Sequence, residues 1–348
     1  MNTKITCKNW GYHQDKKVYL FKLKNESGAF VELTNYGAGI VSIVVPDHRK
    51  KLGHVVLGFD NLQAYLEDEC YMGSSIGRFA NRISNASFRL KDKQYILEDN
   101  ELLNSNHSGS SGYHSRVFDF AINQDTLIFS LFSEDGDGGY PGSLKLNIIY
   151  QWTVNNQLKI RYEALCDKET IANFTNHAYF NLSGEKESIL NHRLTLCAGK
   201  VLETNKEHLP TGKILEAGEQ SFINDRIADK IKGETTGFNQ YYILNKMQKP
   251  GADQLKLAAT LDHQQTGRIL NVYTSYPGLI FYTGDYLKSI YHGRASARYR
   301  PFDGLCLECQ FYPDAPNQTS FPPAILMAGE RYDQQIIYEF TLVNNTPN

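Results

Sequence analysis

Apolar and polar residues alternate with a period of two along most of this chain. In "LKIRYEAL", Leu158, Ile160, Tyr162 and Ala164 fall on one side and Lys159, Arg161 and Glu163 on the other, the pattern of a strand with one buried face. Asn155 and Asn156 just before it suit a tight turn back to "LKLNIIYQWTV", which predicts an antiparallel hairpin. Similar short runs recur at "VYLFKLKN", "AFVELTNYG", "GIVSIVVP", "HRLTLCA", "QLKLAATL", "RILNVYTS", "LIFYTG" and "QIIYEFTLV", with turn signals such as "DGDGGYPG", "HLPTG" and "PDAPN" between them. Helical periodicity is confined to short pieces, "DNLQAYLED" and "INDRIADKI". Many short strands and few helices predict an all-β protein, an antiparallel sandwich or barrel. No charged block, low-complexity linker or repeat marks a boundary, so residues 1–348 are expected to form a single domain.

Two strands carry polar groups where a plain sheet would not need them. In "GLCLECQF", Leu305, Leu307, Cys309 and Phe311 alternate with Cys306, Glu308 and Gln310. Cys306 and Cys309 therefore face opposite sides and cannot share a metal or a disulfide, despite their C-x-x-C spacing. In "NFTNHAYFNLSG", Phe174, Asn176, Ala178 and Phe180 point one way, and Thr175, His177, Tyr179 and Asn181 the other. That second row is either a solvated face or the floor of a polar pocket. Arg82, in "IGRFANRISNASF", has small neighbours that leave room for a ligand or for an ion pair. His107 lies in the Ser/Gly/Asn-rich "NSNHSGSSGYHS", where a lone histidine is most simply a solvated loop residue.

Composition removes several function classes. Thirty-six Lys and Arg stand against 38 Asp and Glu, a formal charge of -2, so there is no global pull toward nucleic acid or an anionic membrane. No apolar run approaches the roughly 18 residues a membrane helix needs, and "MNTKITCKNWGYHQ" lacks the apolar region of a signal peptide. A cytoplasmic location is expected. Six scattered cysteines are too few for a disulfide framework in a chain this long. The expected partner is a small polar molecule, and the chain carries no signal of oligomeric state.

Ten stretches in order, among them "NYGAGIVSIVVPD", "GRFANRIS", "NSNHSG", "NHAYFNLSG", "LPTGKI", "GFNQYYIL", "PGLIFYTG" and "GLCLECQFYPDAPNQ", resemble the motifs of the aldose 1-epimerase (galactose mutarotase) family. The resemblance implies a large antiparallel β-sandwich of the galactose mutarotase kind. It implies that His177 is a general acid at the sugar ring oxygen and Glu308 a general base at the anomeric hydroxyl. His107 and Arg82 match substrate-binding positions. Asn239 stands where the family usually has an aspartate, and Ser108 and Phe118 stand for a usual glycine and tryptophan. An amide at 239 can donate as well as accept and carries no charge, so this departure bears on sugar preference more than on reaction type; otherwise Asn239 only forms the turn before "YYIL".

The implied reaction needs only these groups. Exchanging α and β anomers of a free hexose such as galactose or glucose means removing the C1 hydroxyl proton while protonating the ring oxygen. Two proton transfers suffice, so neither cofactor nor metal is expected. A glycosidase would need a second carboxylate beside Glu308, and a zinc hydrolase a tighter ligand spacing than His107, His177 and Glu308 show in sequence. A non-catalytic sugar-binding protein of the same fold, or an epimerase working on the reducing end of a disaccharide such as maltose, are the alternatives.

Overall fold

In the computed structural model, which describes residues 3–184, 186–231, 237–245, 255–294 and 298–343, the alternating runs form three antiparallel sheets joined by short two-stranded ladders. The largest has nine strands in the order Asp119–Asn123, Thr126–Ser133, Leu144–Trp152, Gln157–Cys166, Arg331–Leu342, Arg268–Thr274, Lys256–His263, Arg193–Leu196 and Asp225–Arg226. A five-stranded meander runs through Lys4–His13, Lys16–Lys24, Phe30–Thr34, Gly39–Pro46 and Leu52–His54. A second five-stranded sheet orders Pro210–Glu216, Ala198–Thr204, Asn239–Leu244, Gly278–Tyr282 and Cys306–Gln310. The only α-helices among the described residues are the single turns Leu62–Leu66, capped by the Asn61 side chain, and Ile227–Lys230.

The hairpin at Asn155–Asn156 forms as its sequence predicts. Trp152 pairs with Leu158 and Asn156 takes a positive φ of 56°, a conformation asparagine tolerates better than most residues. Leu158, Ile160, Tyr162 and Ala164 are all buried, and their neighbours are not. One hydrophobic cluster draws on all three sheets, for example Phe21, Ile160 and Phe281, which couples them through shared packing. Phe174 lies within it, stacked on Tyr113 and Tyr162 and edge-on to Tyr332; a buried aromatic of this kind is worth roughly 1.5–3 kcal/mol by area.

Two features differ from the sequence reading. Lys4–His13 is an edge strand whose residues are all exposed or half-buried; only Ile5 and Trp10 pack against the core clusters, five positions apart, so it carries no regular alternation to read. "NFTNHAYFNLSG" pairs as a strand only at Thr175–Asn176, against Ser75–Ile76. Beyond that ladder its backbone bonds singly to other segments, as His177 N–H to Ser74 O at 2.9 Å and Phe180 N–H to Leu305 O at 2.7 Å. Its asparagine side chains bind backbone groups of neighbouring segments: Asn173 accepts from Phe311 N–H at 2.8 Å, Asn176 donates to Gly73 O at 2.9 Å, and Asn181 donates to Glu187 O and Asp303 O at 2.7 Å each. The alternation nonetheless holds. Phe174, Ala178 and Phe180 join the main core, while Tyr179 joins a second cluster on the other side.

Candidate active site

The strands Gly278–Tyr282 and Cys306–Gln310 are buried on both faces. In the latter, Leu307 and Cys309 enter the main core, and Cys306, Glu308 and Gln310 face the other way. Cys306 and Cys309 are free thiols on opposite sides, as their spacing predicts. Glu308 thus projects from a rigid strand with almost no access to water, at 3% exposure.

His177 meets it there. Its Nε2 lies 3.6 Å from Glu308 Oε1, with both side chains buried. Tyr71 and Tyr179 pack against the imidazole at 5.8 and 5.1 Å between ring centres. The polar row of that segment is therefore not solvated: its amides are spent on backbone groups, and the imidazole is left facing Glu308.

The two remaining polar stretches come together as a short ladder, with Arg82 opposite Asn106 and Ile83 opposite Ser105. One step further, Asn81 N–H donates to His107 Nδ1 at 3.2 Å and His107 N–H to Asn81 O at 3.2 Å. His107 and Ser108 both take positive φ, 52° and 68°, and the Ser108 hydroxyl holds this turn by accepting from Phe79 N–H at 2.9 Å and meeting Tyr140 Oη at 3.0 Å. His107 is buried rather than solvated, because the Tyr71 ring occupies the space beside it at 4.7 Å. Its ring stands edge-on to His177 at 5.5 Å.

The two arginines of "GRFANR" have different lives. Arg78 is 1% exposed and bonds Pro141 O and Gly142 O at 2.9 Å and Ser133 Oγ at 2.6 Å, which makes it a structural cation. Arg82 lines the cavity and pairs with Glu101 at 2.6 Å, while its Nε has no partner. Ligand contact and ion pair, posed as alternatives for Arg82 in the sequence, are thus compatible.

Arg82, His107, His177, Asn239 and Glu308 all line one cavity of about 440 Å³, a size typical of small-molecule pockets. Asn239 opens the strand Asn239–Leu244 opposite Tyr282, and its side chain makes no hydrogen bond to the described residues. Buried polar atoms left without partners include Arg82 Nε, Glu101 Oε2 and Glu308 Oε2; a polyhydroxylated guest would satisfy such groups. Tyr71, Glu101 and Tyr282 also line the cavity and escaped the sequence reading, and Tyr179 lines it too. Tyr179 sits in the polar row beside His177, the one signal that pointed to any of them.

Burial dominates the electrostatics. It pushes His177 down to about 4 and His107 well below the ordinary imidazole range, the latter helped by the charges of His177 and Arg82. It pushes Glu308 up to about 8, with Arg82 pulling the other way. Ligand atoms of His107, His177 and Glu308 lie within 4.8 Å of one another, so distance alone would let them share a cation. The hydrogen bonding of His107 argues otherwise. An amide N–H can only donate, so Nδ1 of the neutral ring accepts and Nε2 carries the proton. A metal-bound imidazole has the opposite arrangement, donating from its far nitrogen.

A sequence profile of the family described as aldose 1-epimerase matches residues 19–339. Galactose mutarotase of Bos taurus is 35% identical over 317 residues, 90% of this chain and 91% of that protein. Aldose 1-epimerase of Escherichia coli K12 is 31% identical over 332 residues, 92% and 94% of the two chains. Among solved structures, an aldose epimerase homologue from C. elegans superimposes with a TM-score of 0.88 at 28% identity, covering 93% of this chain and 99% of that one.

Proposed function

The chain belongs to the aldose 1-epimerase family and is an isomerase of sugar anomers, and we propose that Glu308 and His177 are the base and acid with which it opens and recloses a free hexose. The observation that carries this reading is the 3.6 Å approach of His177 Nε2 to Glu308 Oε1, both groups buried at one cavity. Glu308 takes the proton from the C1 hydroxyl, His177 gives one to the ring oxygen, and the C1–ring oxygen bond breaks to leave an aldehyde. Rotation about C1–C2 and the reverse transfers close the other anomer.

The proton count explains why a dry site suits this pair. Imidazolium with carboxylate acts on the cyclic sugar; neutral imidazole with carboxylic acid is what ring opening leaves behind. Each arrangement holds one proton. Burial favours the uncharged arrangement, whereas the Arg82 charge and the sugar hydroxyls reaching Glu308 Oε2 favour the charged one. Bringing the two close in energy lets one pair run a reversible reaction in both directions. In this reading the Nε2–H of His107 donates to a sugar oxygen, Arg82 and Asn239 hold hydroxyls, and no metal takes part.

The described elements are proposed to act as one domain, supported by the core that their three sheets share. No helix among the described residues is long and apolar enough to cross a membrane. A cytoplasmic setting belongs to the same proposal, and unpaired thiols suit a reducing compartment. Polarimetry on freshly dissolved α-galactose and α-glucose tests the function. Decay to the equilibrium rotation faster than the spontaneous rate is expected, and a rate equal to the buffer blank for both sugars overturns it.

A further inference from the structure

His177 has two ring nitrogens, and they have different neighbours. Nε2 faces Glu308, while Nδ1 lies 3.5 Å from Cys306 Sγ. Cys306 is fully buried and is not among the cavity-lining residues. It stands two positions before Glu308 in the strand Cys306–Gln310, hence on the same face. One short strand thus supplies the neighbour of each nitrogen. We propose that Cys306 is the positioning residue for His177: its sulfur holds Nδ1 from behind the ring, so that Nε2 stays turned to Glu308 and to the sugar oxygen. This rests on the acid and base reading given above.

A thiol is suited to the task because it is both a weak donor and a weak acceptor. In the imidazolium, Nδ1–H points at sulfur; once Nε2 has given its proton to the ring oxygen, Nδ1 keeps its own hydrogen and the same contact survives. No proton moves onto or off the sulfur. Burial and the nearby Glu308 push the thiol well above its ordinary range, so it stays S–H. A carboxylate in its place would hold the imidazolium proton back, raising the ring by about 1–3 pH units; sulfur restrains the ring without doing so.

Other titratable groups around the ring are Glu308 on the strand of Cys306, Tyr282 on the adjacent strand, Tyr71, His107 and His114 from the chain before it, and Tyr179 two residues on. Its own carbonyl favours the protonated form and His114 opposes it. None of these makes a side-chain hydrogen bond with Nδ1, and Cys306 does.

The test combines kinetics with ¹⁵N NMR of histidine-labelled protein. Cys306→Ala should lower kcat about five- to tenfold, the loss of one hydrogen bond, with little change in KM, and should shift the His177 Nδ1 resonance. Cys306→Ser should restore most of kcat. Cys309→Ala, on the opposite face in the core, should lower Tm and leave kcat unchanged. A Cys306→Ala protein with normal kcat and unmoved imidazole resonances overturns the proposal. Should that variant not fold, Cys306→Ser carries the test alone, since a shorter and harder partner must move Nδ1, and an unmoved resonance overturns the contact. If the wild-type protein does not mutarotate sugars while the substitutions still move His177, the acid and base reading fails and the contact stands.

Discussion

Replacing Glu308 by glutamine should damage catalysis and improve stability, each for a reason visible in its surroundings. The carboxyl is 3% exposed, Oε1 lies 3.6 Å from His177 Nε2, and Oε2 has no partner. Glutamine keeps the shape and removes the basic oxygen, so kcat should fall by roughly 10²–10⁴ with a much smaller change in KM. Burial raises Glu308 from 4.5 to about 8, which means that the folded state binds this proton more tightly than the unfolded chain does. Its contribution to stability is complete below about 4.5 and is lost as the pH rises through about 8. Glutamine cannot ionise and loses nothing. The variant should therefore match the wild type near pH 4.5 and exceed it at pH 9, on the order of a few kcal/mol, because each tenfold difference in proton affinity between the folded and unfolded states is worth about 1.4 kcal/mol. Polarimetry on α-glucose, with the spontaneous rate subtracted, reads the first effect, and calorimetric melting at both pH values the second. Near-normal turnover would refute the role of the base. A Tm difference that does not widen with pH would refute the burial argument.

Three further outcomes are expected. The acid and base pair holds one proton between about 4 and about 8, so kcat/KM should fall as the pH rises through about 8, when no acid remains; a profile flat to high pH would contradict this. Asn239→Asp should change KM for monosaccharides several-fold and alter the galactose to glucose preference, since a charged acceptor binds hydroxyl donors more strongly by about 1 kcal/mol; a shift in Tm alone would show that Asn239, which lies in the strand Asn239–Leu244 rather than in a turn, serves that strand and not the sugar. Arg78→Met should cost roughly 3 kcal/mol in urea denaturation by stranding the carbonyls of Pro141 and Gly142, and a variant that unfolds at the wild-type midpoint would show that the buried guanidinium is dispensable.

Period-two alternation in "LKIRYEAL" determined by itself which residues enter the core and which face away, and in "GLCLECQF", whose two faces are both buried, it determined which residues share a side, because a strand has only two. It also determined that Cys306 and Cys309 cannot meet. Ordered motifs then identified the family, and with it His177, Glu308, His107, Arg82 and Asn239, all of which line a single cavity. Sequence could not tell Arg78 from Arg82, since both lie in one short motif and differ only in what remote segments offer them: three carbonyl and hydroxyl oxygens in one case, a cavity and Glu101 in the other. Nor could it show that His107 is buried under Tyr71, or that its Nδ1 accepts from Asn81. The same holds for the sulfur behind His177, which comes from 129 residues away. Alternation is a local property, written into neighbouring side chains. Which nitrogen faces which group depends on strands brought together from distant parts of the chain, and burial then sets the proton affinities of groups whose types alone were legible in the sequence.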